Sequence, residues 1–520
     1  MKTSEAVLLS GDKFVRRQDL TPSVRLFIAC SALMAQICGT WGKITELSRD
    51  YLISRTFVYM LASSLQETGM VVFGVNSSQP VEIRNLSLRH ILSLRLEGRC
   101  SIEAISTIMK RFGLNNCSTG FISQFLYDTG ALLPNTLTND DDQLKFIVFL
   151  SDEIFAKKCP ILVTVDAKSS AILRIELADS RKVQDWQKHW QCIEKNGHVA
   201  VYLVTDEGKG LCGAHKKALR RIVRQSDTYH AIAHQLGKWV NGLYRAAMAA
   251  IENEYKRWDR LDSARSEAVI DSRIEAYEQA KQAAEQAIEL YENFAFLYSI
   301  IIKELNVFDD NGNLRNRKDA EQNIEAALSL LKQLGHTKIA QAVKKVENTM
   351  GGLLHYFDTA QTVLEQLSQL GIDPDALKAI CLAWQWQKGW IKAKKAAARQ
   401  HCKDNEQFCL QIAQGYFEQD CDVIKEQVYE QLDQIVQSSA LVECINSIIR
   451  PYLNGSKNQV TQEALNLIMF YHNHRRYIAG KRKGKTPMEI LTGKKQTKDW
   501  MELLFELIRE KEQLASESAS

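Results

Sequence analysis

The sequence predicts an α/β protein in which a small sheet-bearing core is split by a long run of helices and preceded by short-helix units. Three observations predict this. Extended β-branched runs are concentrated in "ILVTVDAKSSAILRIELAD" (161–179) and "HVAVYLVTD" (198–206). More than two hundred residues of helical periodicity then follow before "LVECINSIIRPYL" (441–453). Ahead of the extended runs, apolar residues recur at three- and four-residue spacing between polar breaks, as in short helices.

Composition frames these elements. The chain has 520 residues, 45% apolar and 25% charged, enough to bury several cores. Its net charge of +4 is the balance of 66 basic and 62 acidic residues, so any polyanion-binding surface has to come from local clustering. The twelve cysteines lack the short regular spacings of a disulfide framework, which leads us to expect reduced thiols and a cytoplasmic protein. Residues 1–18 show no apolar export core, and "LFIACSALMAQIC" (26–38) is too short to span a bilayer, so no membrane partner is expected.

In residues 1–75, "WGKITELSRDYLISRTFVYML" (41–61) has the length of a helix-turn-helix. Ile44, Leu47 and Tyr51 point inward, and Ser54 caps a second helix that presents Arg55 and Thr56 at its start, where such motifs touch base edges. After the polar break "GVNSSQP" (74–80), residues 84–135 hold a second candidate. There Ser101 and Glu103 open one helix, Gly113 stops it, and Ser118 or Thr119 caps the next. The polar "PNTLTNDDDQ" (134–143) is read as solvated linker, and residues 136–158 are expected to be linker.

The first extended run ends in Asp166, turns, and returns as a second strand. "SRKVQDWQKHWQCIEKNG" (180–197) reads as an amphipathic helix with Val183, Trp186 and Trp190 on one face, and "HVAVYLVTD" as a buried parallel strand ending in Asp206. A right-handed strand–helix–strand connection would bring Asp166 and Asp206 to one sheet edge. Two carboxylates held together favour a hard cation, magnesium or manganese, and a pair of ions about 4 Å apart suits displacement at phosphorus. A third strand is expected to be short and near Asp179.

The order of these elements resembles the RNase H-like core of the DDE transposases and retroviral-type integrases, whose third acid lies on a later helix. "LVECINSIIRPYL", "NLIMFYHNHRRY" (466–477) and "KGKTPMEIL" (483–491) are similar to the family's glutamate helix and its flanks. The resemblance implies an α/β RNase H-like core (159–250 and 431–475) split by an all-α insertion (251–430), and a metal-dependent transposase acting on mobile-element ends and target DNA. It implies catalytic and metal-binding roles for Asp166, Asp206 and Glu443, with two Mg2+ or Mn2+ ions at the site, and a homodimer or higher oligomer bound to DNA in a bacterial nucleoid. The "DTYH" stretch looks like the family's aspartate–histidine signature and gives Asp227 and His230 supporting roles.

On its helix Glu443 shares a face with Asn446 and Arg450, which the family pattern aims at DNA phosphates. Glu489 is the rival acid, but in "TPME" it is placed as the reciprocal partner of a capping box with Thr486. Within the insertion, which resembles in position that of the hAT type, Trp384, Trp386 and Trp390 beside a lysine run are candidates for base stacking, against the commoner role of core residues. "EGKGLCGAH" (207–215) offers glycines at a helix start, where N–H groups meet phosphate. The basic tail (476–520), with Arg475 just before it and Arg476, Lys481, Arg482, Lys483 and Lys485 within it, is expected to contact phosphates. Two other classes fit the same residues: a DNA-binding regulator or domesticated transposase without catalysis, and an RNase H-fold nuclease that cuts without joining.

Overall fold

The computed structural model describes residues 19–73, 87–141, 143–417, 421–457 and 459–518. The polar break 74–80 and the export reading of residues 1–18 lie outside them. The chain divides into two compact units, residues 1–86 and 87–520.

In the first unit three helices, Pro22–Ile37, Lys43–Asp50 and Arg55–Phe73, close around Ile28, Ala32, Leu47, Val58 and Ala62. Thr21 Oγ1 accepts from Val24 N at 3.3 Å and Pro22 occupies the first turn, a favoured helix start. Ser54 Oγ accepts from Phe57 N at 3.1 Å, leaving Arg55 and Thr56 exposed at the head of the third helix.

The second unit is mixed α/β around a five-stranded sheet of order β3-β2-β1-β4-β5. The strands are β1 Lys145–Ala156, β2 Cys159–Asp166, β3 Ile172–Leu177, β4 His198–Thr205 and β5 Val223–Ser226. Pairing is antiparallel for β1–β2 and β2–β3 and parallel for β1–β4 and β4–β5. β1 is a correction to the sequence expectation, since it occupies most of the segment read as linker; the strand nearest Asp179 is β3, the return strand of the hairpin, which ends at Leu177, and among the described residues no further strand starts there. Its two central acids, Asp152 and Glu153, have low strand propensity and interrupt an otherwise clear apolar run, and antiparallel pairing with Val163 and Leu162 of β2 overrides them.

Strand alternation gives each face of the sheet its own core. Ile147, Phe149, Leu162, Leu173 and Leu203 meet Trp186, Trp190 and Ile193 of the Val183–Lys195 helix and Leu211 and Ala214 of the Lys209–Ala218 helix. Leu150, Ile154, Ile161, Val163 and Val204 meet Val442, Ile445 and Ile449 of the Ala440–Gly455 helix and Leu465 and Leu467 to Tyr471 of the Gln462–His474 helix.

That second core also takes in Ile105 and Met109 of the Ile102–Arg111 helix and Ile122 and Leu126 of the Thr119–Ala131 helix. Ser101 and Ser118 cap these helices at the expected places, but the helices belong to the sheet's unit rather than forming one of their own. A face of the sheet needs covering, and their apolar sides supply the cover. Gly130 shows how close the approach is, since a Cβ there would lie 2.2 Å from Glu463 O.

From Tyr229 to Leu432 the described residues form helices joined by turns, with one isolated bridge between Phe308 and Leu314. These helices build their own core around residues such as Phe294, Ile324, Val343, Tyr356 and Trp384. The described residues of the basic tail, 476–518, pack onto the sheet's unit. The Trp500–Ser518 helix sends Trp500, Leu504 and Phe505 into the sheet core, which draws the basic loop before it onto the protein.

Candidate active site

β1 and β4 run parallel with Leu150 beside Val204, so Asp152 and Asp206, each two residues further on, come to the same end of the β1–β4 ladder, Asp152 inside β1 and Asp206 just after β4. Asp152 faces the core that contains the Ala440–Gly455 helix, and Asn446 Nδ2 on that helix donates to its Oδ2 at 2.8 Å. Burial, reinforced by the Asp206 carboxylate, pushes Asp152 up to about 7. Asp206 Oδ1 accepts from Gly208 N at 2.8 Å, which aims the side chain at the start of the next helix.

Glu443 joins this group from the covering helix, one turn before Asn446. Its Oε1 meets His230 Nε2 at 2.5 Å. Burial opposes a charge on His230, but the carboxylates of Asp227, Glu443 and Asp206 outweigh it and hold the imidazole above its ordinary value. Asp227, buried, fixes both partners at once. Its Oδ1 accepts from Tyr229 N at 2.7 Å and His230 N at 3.1 Å. Its Oδ2 accepts from Ser439 N at 2.9 Å and from the Ser439 hydroxyl, at the head of the glutamate helix. One carboxylate thus ties together the starts of two helices that are distant in sequence.

Asp166 is not part of this group. β1 lies between β2 and β4, and Asp166 pairs with Phe149, three residues or about 10 Å back along β1 from Asp152. Its Oδ2 accepts from Ser169 N at 2.7 Å and Ser169 Oγ at 2.6 Å, closing the β2–β3 turn. The expected meeting of Asp166 and Asp206 at one edge is therefore replaced by that of Asp152 and Asp206. The missed signal was in "KFIVFLSDEIFA", an apolar strand with an acid on its inward-alternating side.

Several other expected residues stand differently from their sequence reading. Asn446 is buried against Asp152, out of reach of a phosphate backbone, whereas Arg450 is exposed one turn later. Trp384 is buried, stacked edge-on against Phe308, with its Nε1 donating to Asp433 Oδ1 at 3.1 Å, so it has no face for a base. Trp386 is half-buried on the same core, and half-buried Trp390 donates to Glu406 Oε2 at 2.6 Å. The glycines after Asp206 serve packing: a Cβ on Gly210 would lie 2.1 Å from Arg181 O, and Gly208 N–H is used by Asp206.

In the basic loop Arg475 is half-buried over the Tyr471 ring. Arg476 pairs with Glu489 at 2.9 Å, Lys481 lies against Asp433, and Arg482 Nη2 donates to Lys168 O at 2.8 Å, while Lys483 and Lys485 are exposed. Glu489 forms the capping box with Thr486, accepting from Thr486 N at 2.9 Å while Thr486 Oγ1 accepts from Glu489 N at 3.0 Å.

Among the described residues no three His, Cys, Asp or Glu side chains converge as a closed ligand set. The donors at the end of the β1–β4 ladder nonetheless suit a hard divalent cation. The two carboxylates repel each other, and Asp152 holds its proton up to about 7 chiefly because it is buried and secondly because of the Asp206 charge. Beside them the buried Asn446 Oδ1 has no partner. A cation would relieve both conditions, with Asp152, Asp206 and Glu443 as its holders. No protein-family model and no curated protein matches the chain.

Proposed function

We propose that the chain is a DDE-type DNA transposase with an RNase H-like core, cutting mobile-element ends and joining them to target DNA through Asp152, Asp206 and Glu443. One observation supports this most: an antiparallel β3–β2–β1 meander is continued by parallel β4 and β5, with a carboxylate just past the last β1–β4 pair on each of those two strands and a glutamate on the helix covering their shared face. The helical stretch between β5 and that helix supports reading it as an insertion into the core.

In this reading Asp152, inside β1, and Asp206, just after β4, would hold magnesium or manganese, and Glu443 would complete the set. When bound, the ions supply charge stabilisation for the attacking and leaving oxygens of a phosphodiester. The chain's own residues do the positioning. Asn446 orients Asp152, Asp227 sets the start of the glutamate helix, and His230 holds the Glu443 carboxylate in place. Arg450, Lys483 and Lys485, exposed near the helix and its following loop, offer phosphate contacts, and Arg55 and Thr56 offer base contacts from the first unit.

The test is incubation of the protein with DNA carrying its own element's ends and magnesium or manganese. Cleavage followed by joining is the expected result. Cleavage without joining assigns the chain to the nucleases, and end binding without cleavage assigns it to the regulators.

A further inference from the structure

The helix Lys238–Asp262 packs along Glu267–Glu304 and turns one line of residues away from solvent, with Leu243 and Ala247 buried and Ala250 and Leu261 half-buried. Beside that seam it carries a second apolar line: Tyr244, Met248, Ile251, Tyr255 and Trp258, each between 37% and 66% exposed. The spacing alternates four and three residues, the heptad rhythm by which one helix seats another. At 100° per residue all five fall within about 80° of the helix circumference. Tyr244 and Trp258 lean on Tyr291 and Tyr277 of the neighbouring helix at centroid separations of 5.5 and 5.2 Å, which holds both rings in the line rather than free in solvent.

Such a line is unusual on a protein surface, where large apolar groups are normally scattered singly. Its order favours a particular occupant. Read backwards, the line keeps the same kind of spacing, so an antiparallel copy centred at Ile251 brings Tyr244 opposite Trp258 and Met248 opposite Tyr255, with Ile251 facing itself. On the side away from the seam the line is bordered by Arg245, Glu252 and Asp259, at seven-residue intervals. The same antiparallel register places Arg245 of one copy opposite Asp259 of the other, twice by symmetry, while Glu252 near the axis is already neutralised by Lys256 at 2.7 Å. A two-fold interface requires such self-complementarity. DNA fits the surface poorly, because the adjoining helix from Glu267 to Glu289 carries six acids, Glu267, Asp271, Glu275, Glu278, Glu285 and Glu289, against the two bases Arg273 and Lys281.

We propose that a second copy of this chain docks on the Tyr244–Trp258 line, the two helix pairs joining antiparallel about Ile251 to make a four-helix dimer contact. The proposal stands on this surface alone and holds or fails independently of the transposase reading.

The experiment is sedimentation equilibrium of the intact protein, without DNA, for wild type, I251E, R245D, D259R and the double variant R245D/D259R. All three positions are at the surface, and unchanged helical circular dichroism confirms that each variant folds. Wild type is expected to dimerise. I251E should weaken the dimer about a hundredfold, since a like-charged pair would face itself in an apolar seam. R245D and D259R alone should weaken it about tenfold, and the double variant should regain the wild-type constant. A monomeric wild type, a dimer indifferent to I251E, or a double variant no better than the single ones would overturn the proposal. So would an I251E variant of unchanged mass that had instead lost DNA affinity, which would make nucleic acid the occupant.

Discussion

Asn446 Nδ2 donates to Asp152 Oδ2 across 2.8 Å and so fixes the rotation of the glutamate helix against the central strand of the sheet. Glu443 lies three residues earlier on the same face, so the bond that orients one carboxylate also sets the direction from which the other arrives. The candidate site is thus assembled by packing between β1 and a helix nearly three hundred residues later, with the helical stretch looping out between β5 and that helix.

The raised Asp152 pKa predicts a stability that depends on pH and on cations. Its carboxyl titrates near 3.8 when unfolded and at about 7 when folded, so between these values the native state binds more protons than the unfolded chain. Stability therefore falls as pH rises through that window and levels off above it. By the same reasoning D152N should raise metal-free stability at pH 8 by about 2–4 kcal/mol, and by little at pH 4. Magnesium should raise the wild-type melting temperature more at pH 8 than at pH 5. Calorimetry at the two pH values measures both effects, and equal D152N shifts at both would contradict the assignment.

Asp227 should behave as the tie between two helix starts. D227A removes the acceptor for Tyr229 N, His230 N and both Ser439 donors, leaving them buried, and should cost about 2–4 kcal/mol of stability together with most of the activity. S439A, which loses the hydroxyl and keeps the backbone bond, should cost about 1 kcal/mol. Denaturant melts compare the two, and a D227A protein as stable as wild type would show that the tie is dispensable.

The tryptophans should separate by burial. W384A empties a core position and should cost about 3–5 kcal/mol, whereas W390A, at a half-buried site, should cost about 1 kcal/mol or less. W384F should bind DNA as wild type does. A loss of DNA affinity in W384F at unchanged stability would return Trp384 to base stacking.

Local features were the legible ones. The β2–β3 hairpin, the Ser101 and Ser118 caps, and the Glu489 capping box each depend on neighbours within a few residues, and each stands where its sequence places it. β1 was illegible because what makes "SDEIF" a strand is its antiparallel pairing with β2, later in sequence, while β4 pairs only with the Lys145–Leu150 half of the strand. Asp166 ends its apolar run visibly, whereas Asp152 sits inside one, so position in a run pointed to the turn-closing acid rather than the one beside Asp206. Asn446 was read by helical periodicity as a companion of Arg450, but burial separates them: the helix's apolar face turns Asn446 inward and leaves Arg450 outside.

The central claim is tested most directly by comparing D152N with D166N in metal-dependent cleavage of the element's own ends, with end binding as the control. The amide introduced by D166N retains an oxygen acceptor for Ser169, so both variants should fold. The account predicts that D152N binds ends but loses cleavage by a factor of about a thousand or more, on the order of 4 kcal/mol of transition-state stabilisation, while D166N cleaves within about threefold of wild type. Loss of cleavage in a folded, end-binding D166N with D152N still active would contradict it.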